Sequence, residues 1–388
     1  MSAARKGWCP GALRPMRSGD GLIVRLRLSC GELSAPRARE IAALSASHGA
    51  GEIDLTARGH LQMRGIEDAS YPGLMDRLAA AGLIDASPQV EAVRNVLVTP
   101  FAGLDGAFDV RPLARAWEQA LAQSPVLQRL PAKFGVSFDA GRVPLGDDSD
   151  IRFEAQDNQT FLARLADGGD ALGPFPAPEI VSVARALTHA FLALCGEAPR
   201  RMRDAVRAHG LRPFAEASGL PVVAAPPPPR APIADWLGVH GFGVGVAAPF
   251  GRLSAAQLAA LADAAVPAGL RLTPWRALLI PGLDQPAAQA LAANAHGLIV
   301  DPADPLLRVA ACAGAPACSS ALGETREAAR RLAPLAPRGE GVWLHVSGCE
   351  KLCAHPRPAP MTAIATREGY QLNGEAPRTL DALARRIA

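Results

Sequence analysis

Lysine is almost missing from this chain: of 388 residues only Lys6, Lys133 and Lys351 carry an ammonium group, the other 37 basic residues being arginine. The bias is compositional, and it makes an internal lysine worth asking about. Aromatic residues are scarce at 5%, too few for the stacking platforms that bind single-stranded nucleic acid. An excess of one charge is missing too. Forty basic residues face 37 acidic ones, a net charge of +3, which excludes the electropositive signature of a nucleic-acid partner. No uninterrupted apolar run approaches the roughly 18 residues of a membrane span, and Met1 to Met16 lacks the apolar middle of a signal peptide. The expectation is a soluble, cytoplasmic protein without membrane or nucleic-acid partners. There is no P-loop, no dinucleotide-binding glycine fingerprint and no G-x-S-x-G nucleophile, so a nicotinamide cofactor would act only through a partner reductase.

What is present is apolar bulk. With 49% hydrophobic and 20% charged residues, the chain buries a substantial core and is not disordered. Its length is about twice the usual domain mode, which favours two units or a duplicated one. Pro221 to Pro232 reads PVVAAPPPPRAP, an extended linker that cannot continue a helix. Three landmarks recur across it in the same order. Gly31-Glu32-Leu33-Ser34-Ala35 matches Gly251-Arg252-Leu253-Ser254-Ala255, and LTARGHLQMRGI from Leu55 lies over LTPWRALLIPGL from Leu272. Gly82-Leu83-Ile84 with Val93-Arg94-Asn95 matches Gly297-Leu298-Ile299 with Leu307-Arg308-Val309. Duplication of one α/β unit explains three matches in register better than chance. Within the first copy the pattern predicts strand Leu22–Leu28, helix Ser34–Ser47 behind a serine N-cap, strand Ile53–Arg64 and helix Tyr71–Ala81. Met202 to Ala217 predicts two short helical turns before the linker.

The strand expected over Ile53–Arg64 alternates. Ile53, Leu55, Leu61 and Met63 fall on one face, and Asp54, Thr56, Arg58, His60, Gln62 and Arg64 on the other. Arg25 and Arg27 repeat the device on the neighbouring strand. Four arginines on two nearby strands point to an anion-binding surface, the alternative being a solvated sheet face. The matching positions of the second copy are Gly245, Ala247, Trp275 and Pro281, so this basic face exists once. The second copy has the paired cysteines instead: Cys312 and Cys318 form C-x5-C, Cys349 and Cys353 form C-x3-C. Four soft ligands in two pairs fit an iron-sulfur cluster with one thiolate per iron. Structural zinc more often uses tighter knuckles, and disulfides are disfavoured in a cytosolic protein. Cys9, Cys30 and Cys195 read as small buried hydrophobes. His355 is a further metal ligand, a donor to the cluster or an idle loop histidine; Lys133, in Leu130-Pro131-Ala132-Lys133-Phe134-Gly135, is either used or solvated.

These residues resemble the sulfite/nitrite reductase superfamily. The resemblance rests on the two cysteine pairs in the second half, Leu-Thr-x-Arg before Gln62, Arg94-Asn95-Val96 and Leu130-Pro131-x-Lys133-Phe134, and it covers nearly the whole chain. It implies an α+β fold of duplicated architecture, with two ferredoxin-like half-domains and two cluster/sirohaem-type domains. The boundaries expected are 1–80, 81–220, linker 221–232, 233–300 and 301–388. It also implies a carboxylate-rimmed tetrapyrrole between the halves, beside a 4Fe-4S cluster on Cys312, Cys318, Cys349 and Cys353. In the reductases the position of Cys353 bridges cluster and haem. Arg25, Arg27, Thr56, Arg58, Gln62 and Arg64 would bind the tetrapyrrole, and Arg94 and Lys133 would serve catalysis.

The departures single out one branch. Gly135 stands where the reductases usually carry a second lysine, and Gly348 to Pro356 departs from their G-C-P-N-x-C pattern. With Gly7-Trp8-Cys9-Pro10-Gly11, these features resemble the cobalamin-biosynthesis branch. That resemblance implies a monooxygenase that hydroxylates precorrin-3A at a bridging ring carbon with formation of a γ-lactone. It would use the cluster, a non-haem iron with His355 as first candidate ligand, oxygen, and an electron donor such as a reductase or ferredoxin. The alternatives are a sirohaem-dependent sulfite or nitrite reductase, and a non-catalytic tetrapyrrole-binding or iron-sulfur carrier protein.

Overall fold

A computed structural model describes residues 9–388 except 141–142, 147–148, 167–168, 196–200, 228–230, 295–296 and 356. Gly7, Trp8 and Pro356 of the motifs above lie outside the described residues, as does part of the linker. Four sheets carry the α+β architecture, and the first two contain the duplication. The first sheet runs Met16–Ser18, Gly21–Leu26, Leu61–Ile66, Glu52–Leu55 and then Arg252–Ser254. The second runs Gly238–His240, Gly243–Ala247, Ala277–Pro281, Leu270–Leu272 and then Glu32–Leu33. Each half thus lends one short strand to the edge of the other's sheet. Arg252 pairs with Asp54, and Leu33 with Leu270.

The exchange fuses two half-domains around one core. In helix Ala35–His48 the buried positions Ala38, Ile41, Ala42 and Ser45 recur at helical spacing. They face helix Ala255–Ala264, which buries Leu258, Leu261 and Ala262. Beneath them lie Val24, Leu26, Ile53, Leu61 and Met63 of one sheet and Val244, Val246, Leu278 and Ile280 of the other, in one continuous cluster. Full burial of each large aliphatic side chain here contributes about 1.5–3 kcal/mol. Ser254 and Gln257 close a reciprocal capping box; Ser34 holds the corresponding N-cap position without a side-chain bond.

The segment Ile53–Arg64 departs from the sequence expectation. It is a hairpin, not one strand: Glu52–Leu55 ends at Thr56, the chain turns through Arg58 and Gly59, and Leu61–Ile66 returns antiparallel. The turn is closed by its threonine. Thr56 N–H donates to the His60 carbonyl at 2.9 Å, and the Arg58 and His60 N–H groups donate to Thr56 Oγ1 at 3.3 and 3.1 Å. The second copy builds the same turn from Thr273. There Trp275 and Ala277 N–H donate to Thr273 Oγ1 at 3.2 and 3.3 Å, and Arg276 takes the left-handed conformation (φ 59°) that Gly59 takes in the first (φ 65°).

The third and fourth sheets repeat one topology. Val96–Val98, Val136–Asp139 and Ile151–Ala155 are parallel and Thr160–Leu165 runs against them. Val309–Ala311, Leu344–Ser347 and Met361–Thr366 are parallel and Gly369–Leu372 runs against them. The third sheet continues to Ala171–Pro176 and then to Val222–Val223, so the proline-rich linker begins as an edge strand, where proline is tolerated. Helix Ile180–Cys195, with the turn before it, has the length and mean hydropathy of a membrane span. Its side carrying Val183, Ala184, Leu187 and Phe191 is packed into the core of the third sheet.

Asp54, paired with Arg252 across the exchanged edge, ties three of the sheets' surroundings together. Its carboxylate accepts from Arg252 at 2.7 Å, Arg326 at 3.2 Å and Arg64 at 3.5 Å. Burial alone would raise its pKa; the arginines outweigh that and hold it below the ordinary carboxylate range. Its contribution to stability is therefore present at neutral pH and is lost as pH falls through that lowered value. Replacing Asp54 by alanine leaves three buried guanidinium groups short of a counter-ion. Urea titration is expected to show a loss of about 3–5 kcal/mol; a loss under about 1 kcal/mol would mean that the carboxylate is dispensable.

Candidate functional site

Parallel neighbours explain how two cysteine pairs thirty residues apart meet. Val309–Ala311 and Leu344–Ser347 lie side by side in register, and each is followed by a cysteine, Cys312 directly and Cys349 after Gly348. The pairs therefore leave from the carboxyl ends of adjacent strands, where open parallel sheets place their ligand sites. Gly348 N–H donates to Cys312 Sγ at 3.2 Å. A Cβ on Gly348 would meet Ala321 Cβ at 2.6 Å, so only glycine lets this backbone pack against the Cys318–Ala321 turn. Cys353 completes the group: its thiol is pushed up by burial and by the nearby Cys349, Cys312 and Cys318. Among the described residues no three His, Cys, Asp or Glu side chains converge to the spacing of a single ion. Four thiols in mutual electrostatic range, one of them already accepting an amide bond, suit a cluster with one iron per thiolate.

Both copies hold these loops. Arg64 Nη2 donates to the Ala317 carbonyl at 2.9 Å and Ser18 Oγ to the same oxygen at 2.6 Å. From the second copy, Arg276 Nη2 donates to the Ala354 carbonyl at 3.0 Å. Beside Cys353 the imidazoles of His345 and His355 stand 6.0 Å apart, edge to face. His345 is buried, and its Nε2 has no partner among the described residues. Burial, then His355 and Arg276, lower its pKa to about 4. Nothing in the sequence pattern marked His345, an odd residue in an apolar strand.

On the first sheet the basic residues divide into two sets. Arg64 is spoken for, bonded to Asp20 at 2.9 and 3.0 Å as well as to Asp54 and Ala317. Arg94 likewise donates to Asp85 at 2.7 and 2.8 Å, to Glu118 at 3.4 Å and to the Arg27 carbonyl at 2.7 Å. Both guanidiniums act as braces. The other set retains unused donors. Arg25 and Gln62 are directly paired across strands and bonded at 3.0 Å through Nε. Arg27 donates to Asn95 Oδ1 at 3.0 Å, yet among the described residues its buried Nε has no partner, and neither have Arg58 Nη1 and both ring nitrogens of His60. Burial, with the adjacent Arg25, lowers the Arg27 pKa to about 10. His60 is held well below its ordinary value by burial and by Arg27, Arg25, Arg58 and Arg94.

Lys133 joins this set through Asn95. The Asn95 amide donates to the carbonyls of Ala132 at 3.0 Å and Phe134 at 3.1 Å, clamping the turn that presents the lysine. Arg308 does the same for the second copy, donating to the carbonyls of Glu340 and Gly341 ahead of Leu344–Ser347. The amino-terminal segment closes over the arginines. Glu91 accepts from Ala12 N–H at 2.6 Å and Leu13 N–H at 3.2 Å, and Cys9 lies against Arg25, helping to sustain its charge against burial.

The Nitrite/Sulfite reductase ferredoxin-like half domain matches residues 14–81 and again 238–297, the two segments whose strands are exchanged. A solved structure, that of the Mycobacterium tuberculosis NirA protein, superposes over 94% of this chain and 79% of its own with a TM-score of 0.73 and 22% identity. Ferredoxin–nitrite reductase of Synechococcus elongatus is 29% identical, over 93% of this chain and 80% of its own. Precorrin-3B synthase of a Sinorhizobium species is 32% identical, over 97% of this chain and 84% of its own. The chain belongs to the nitrite/sulfite reductase superfamily and, within it, to the precorrin-3B synthase family.

The Asn95 clamp is testable apart from any ligand. Asn95→Ala removes the partner of Arg27 and of the carbonyls of Ala92, Ala132 and Phe134, and is expected to lower the unfolding free energy by about 1–3 kcal/mol. Lys133→Ala, which removes only the presented group, should stay within about 0.5 kcal/mol. Equal effects in chemical denaturation would mean that the lysine itself holds the turn.

Proposed function

We propose that the chain is an oxygenase of cobalamin biosynthesis that converts precorrin-3A to its hydroxylated γ-lactone, precorrin-3B. The observation that supports the reading best is the set of buried donors on Arg27, Arg58 and His60 that have no partner among the described residues. They lie on a sheet whose own Arg64 touches the Cys318 loop. Donors of this kind are costly unless a ligand satisfies them, and a carboxylate-rimmed tetrapyrrole does so.

Arg25 and Arg58 bind carboxylates bidentately, Gln62 fixes the Arg25 guanidinium, and Thr56 fixes the turn carrying Arg58. Arg27 offers its unpartnered Nε to the same ligand, while Arg64 and Arg94 hold the surrounding backbone. Lys133 sits on the turn whose flanking carbonyls Asn95 clamps, and adds a further cationic side chain to the site. Cys312, Cys318, Cys349 and Cys353 hold the 4Fe-4S cluster, and His345 and His355 offer imidazoles to a mononuclear iron. When bound, these centres supply electrons and activate oxygen, so that one oxygen atom enters the ring carbon and the other leaves as water with two electrons and two protons.

Gly135 favours oxygenation over reduction of a small oxyanion. Its backbone does not require glycine, and an added Cβ would meet nothing nearer than the Asn95 carbonyl at 3.7 Å. The position has room for a side chain and offers no cation, leaving Lys133 with fewer helpers than multi-electron reduction of sulfite or nitrite calls for.

Anaerobically purified protein should contain iron and sulfide with a reduced-state paramagnetic signal. Each Cys→Ala change at 312, 318, 349 and 353 should reduce both, and changes at Cys9, Cys30 and Cys195 should not; full occupancy in two of the former would sink the ligand set. Incubation with precorrin-3A, a reductant and isotopically labelled oxygen gas should place label in the product. Unlabelled product, or vigorous viologen-driven sulfite or nitrite reduction, would transfer the assignment to the reductases. Arg58→Ala should weaken tetrapyrrole binding by about 1.5–3 kcal/mol at unchanged cluster content.

A further inference from the structure

The duplication supplies an internal control for one residue. The turns at Thr56 and Thr273 share their hydrogen bonds and their left-handed fourth residue, yet the fifth residue is His60 in one and Ala277 in the other. Alanine is therefore sufficient for the turn. His60 is only 2% exposed and neither ring nitrogen has a partner among the described residues. Burying an unsatisfied polar ring where a methyl group would serve costs stability, so the imidazole is retained for something the fold does not need.

Its surroundings say what. Arg25 and Arg27 reach it from the strand and its extension, Arg58 from its own turn, and Arg94 from the end of helix Pro88–Val93. The nearby acids are engaged elsewhere. Asp85 and Glu118 hold Arg94, and Glu91 holds the N–H groups of Ala12 and Leu13; Cys9 lies against Arg25. We propose that His60 is the proton acceptor of the arginine pocket: its imidazole takes up one proton from solvent when a polycarboxylate binds, and then donates to that ligand. The proposal rests on the carboxylate-binding reading given above.

The electrostatics give the direction. Before a ligand binds, burial and four guanidiniums keep the imidazole neutral at pH 7. Ligand carboxylates cancel the field of the arginines and accept a hydrogen bond from the protonated ring, and both effects raise its pKa. Binding then consumes a proton, so affinity rises as pH falls through the window between the free and bound values, by up to about tenfold per pH unit.

Uroporphyrin, a stable tetrapyrrole octacarboxylate, is the probe. It is titrated into the full chain by calorimetry between pH 6 and 8, in phosphate and in Tris, whose different ionisation heats report proton uptake. Uptake approaching one proton per ligand is expected in the wild type. His60→Ala and His60→Asn should bind more weakly but measurably, through the remaining arginines, without the histidine's share of that uptake and with a flatter pH dependence. Uptake that is nil in the wild type, or equal in all three proteins, overturns the proposal while leaving the carboxylate pocket standing. No binding by the wild type overturns both. If a variant does not fold, the His60 resonance of the wild type decides: its pKa must rise by at least about one unit with uroporphyrin, and an unchanged value overturns the proposal.

Discussion

Three arginines from distant parts of the chain meet on the carboxylate of Asp54. Arg252 comes with the strand borrowed from the second copy, Arg64 from the first copy's own sheet, and Arg326 from the helix that crosses between the two cysteine-bearing strands. Arg64 then passes to the Ala317 carbonyl, inside the first cysteine pair. The anion thus fixes the exchanged edge, the basic sheet and the Cys312–Cys318 loop relative to one another. A hydrophobic contact could supply comparable stability but not this register, since apolar surfaces slide and directional ion pairs do not.

The two copies have used one scaffold for opposite chemistry. The threonine-closed turn presents Arg58 and His60 in the first copy and Trp275 and Ala277 in the second. Where the first leaves donors unsatisfied, the second packs rings. Trp275 stacks on Trp236 at 4.7 Å and lies 6.2 Å from Phe101. Arg276, at the place of Gly59, reaches away to the Cys353 loop. One copy therefore keeps a cluster of basic donors, and its twin becomes an aromatic wall that also anchors the Cys353 loop.

Much of this was legible in the primary structure because it rests on local pattern. Apolar alternation marked the strands, the recurrence of LT-x-R/W marked the duplication, and cysteine spacing marked the two pairs that the adjacent parallel strands bring together. Alternation misled at Ile53–Arg64, because a five-residue turn closed by a threonine hydroxyl keeps the period of two while reversing the chain. The same error placed Arg64 among free cations, whereas Asp20 and Asp54 claim it. Strand exchange left no local signal: Arg252 and Asp54 become neighbours only in three dimensions. His345 carried no signal and His60 only a place on the polar face, for a related reason, since a lone histidine carries meaning only through what surrounds it.

The borrowed strands bear on how the protein is made. Asp54 waits for Arg252, 198 residues later, so throughout synthesis of the first copy the strand Glu52–Leu55 is an uncovered edge with open backbone donors and acceptors. Nascent chains of this length are exposed to wrong edge pairing until the second copy leaves the ribosome, and contacts of such sequence separation close slowly. A break in the gene at the linker would yield two polypeptides, each with one sheet lacking its last strand. They would be soluble partners only when expressed together.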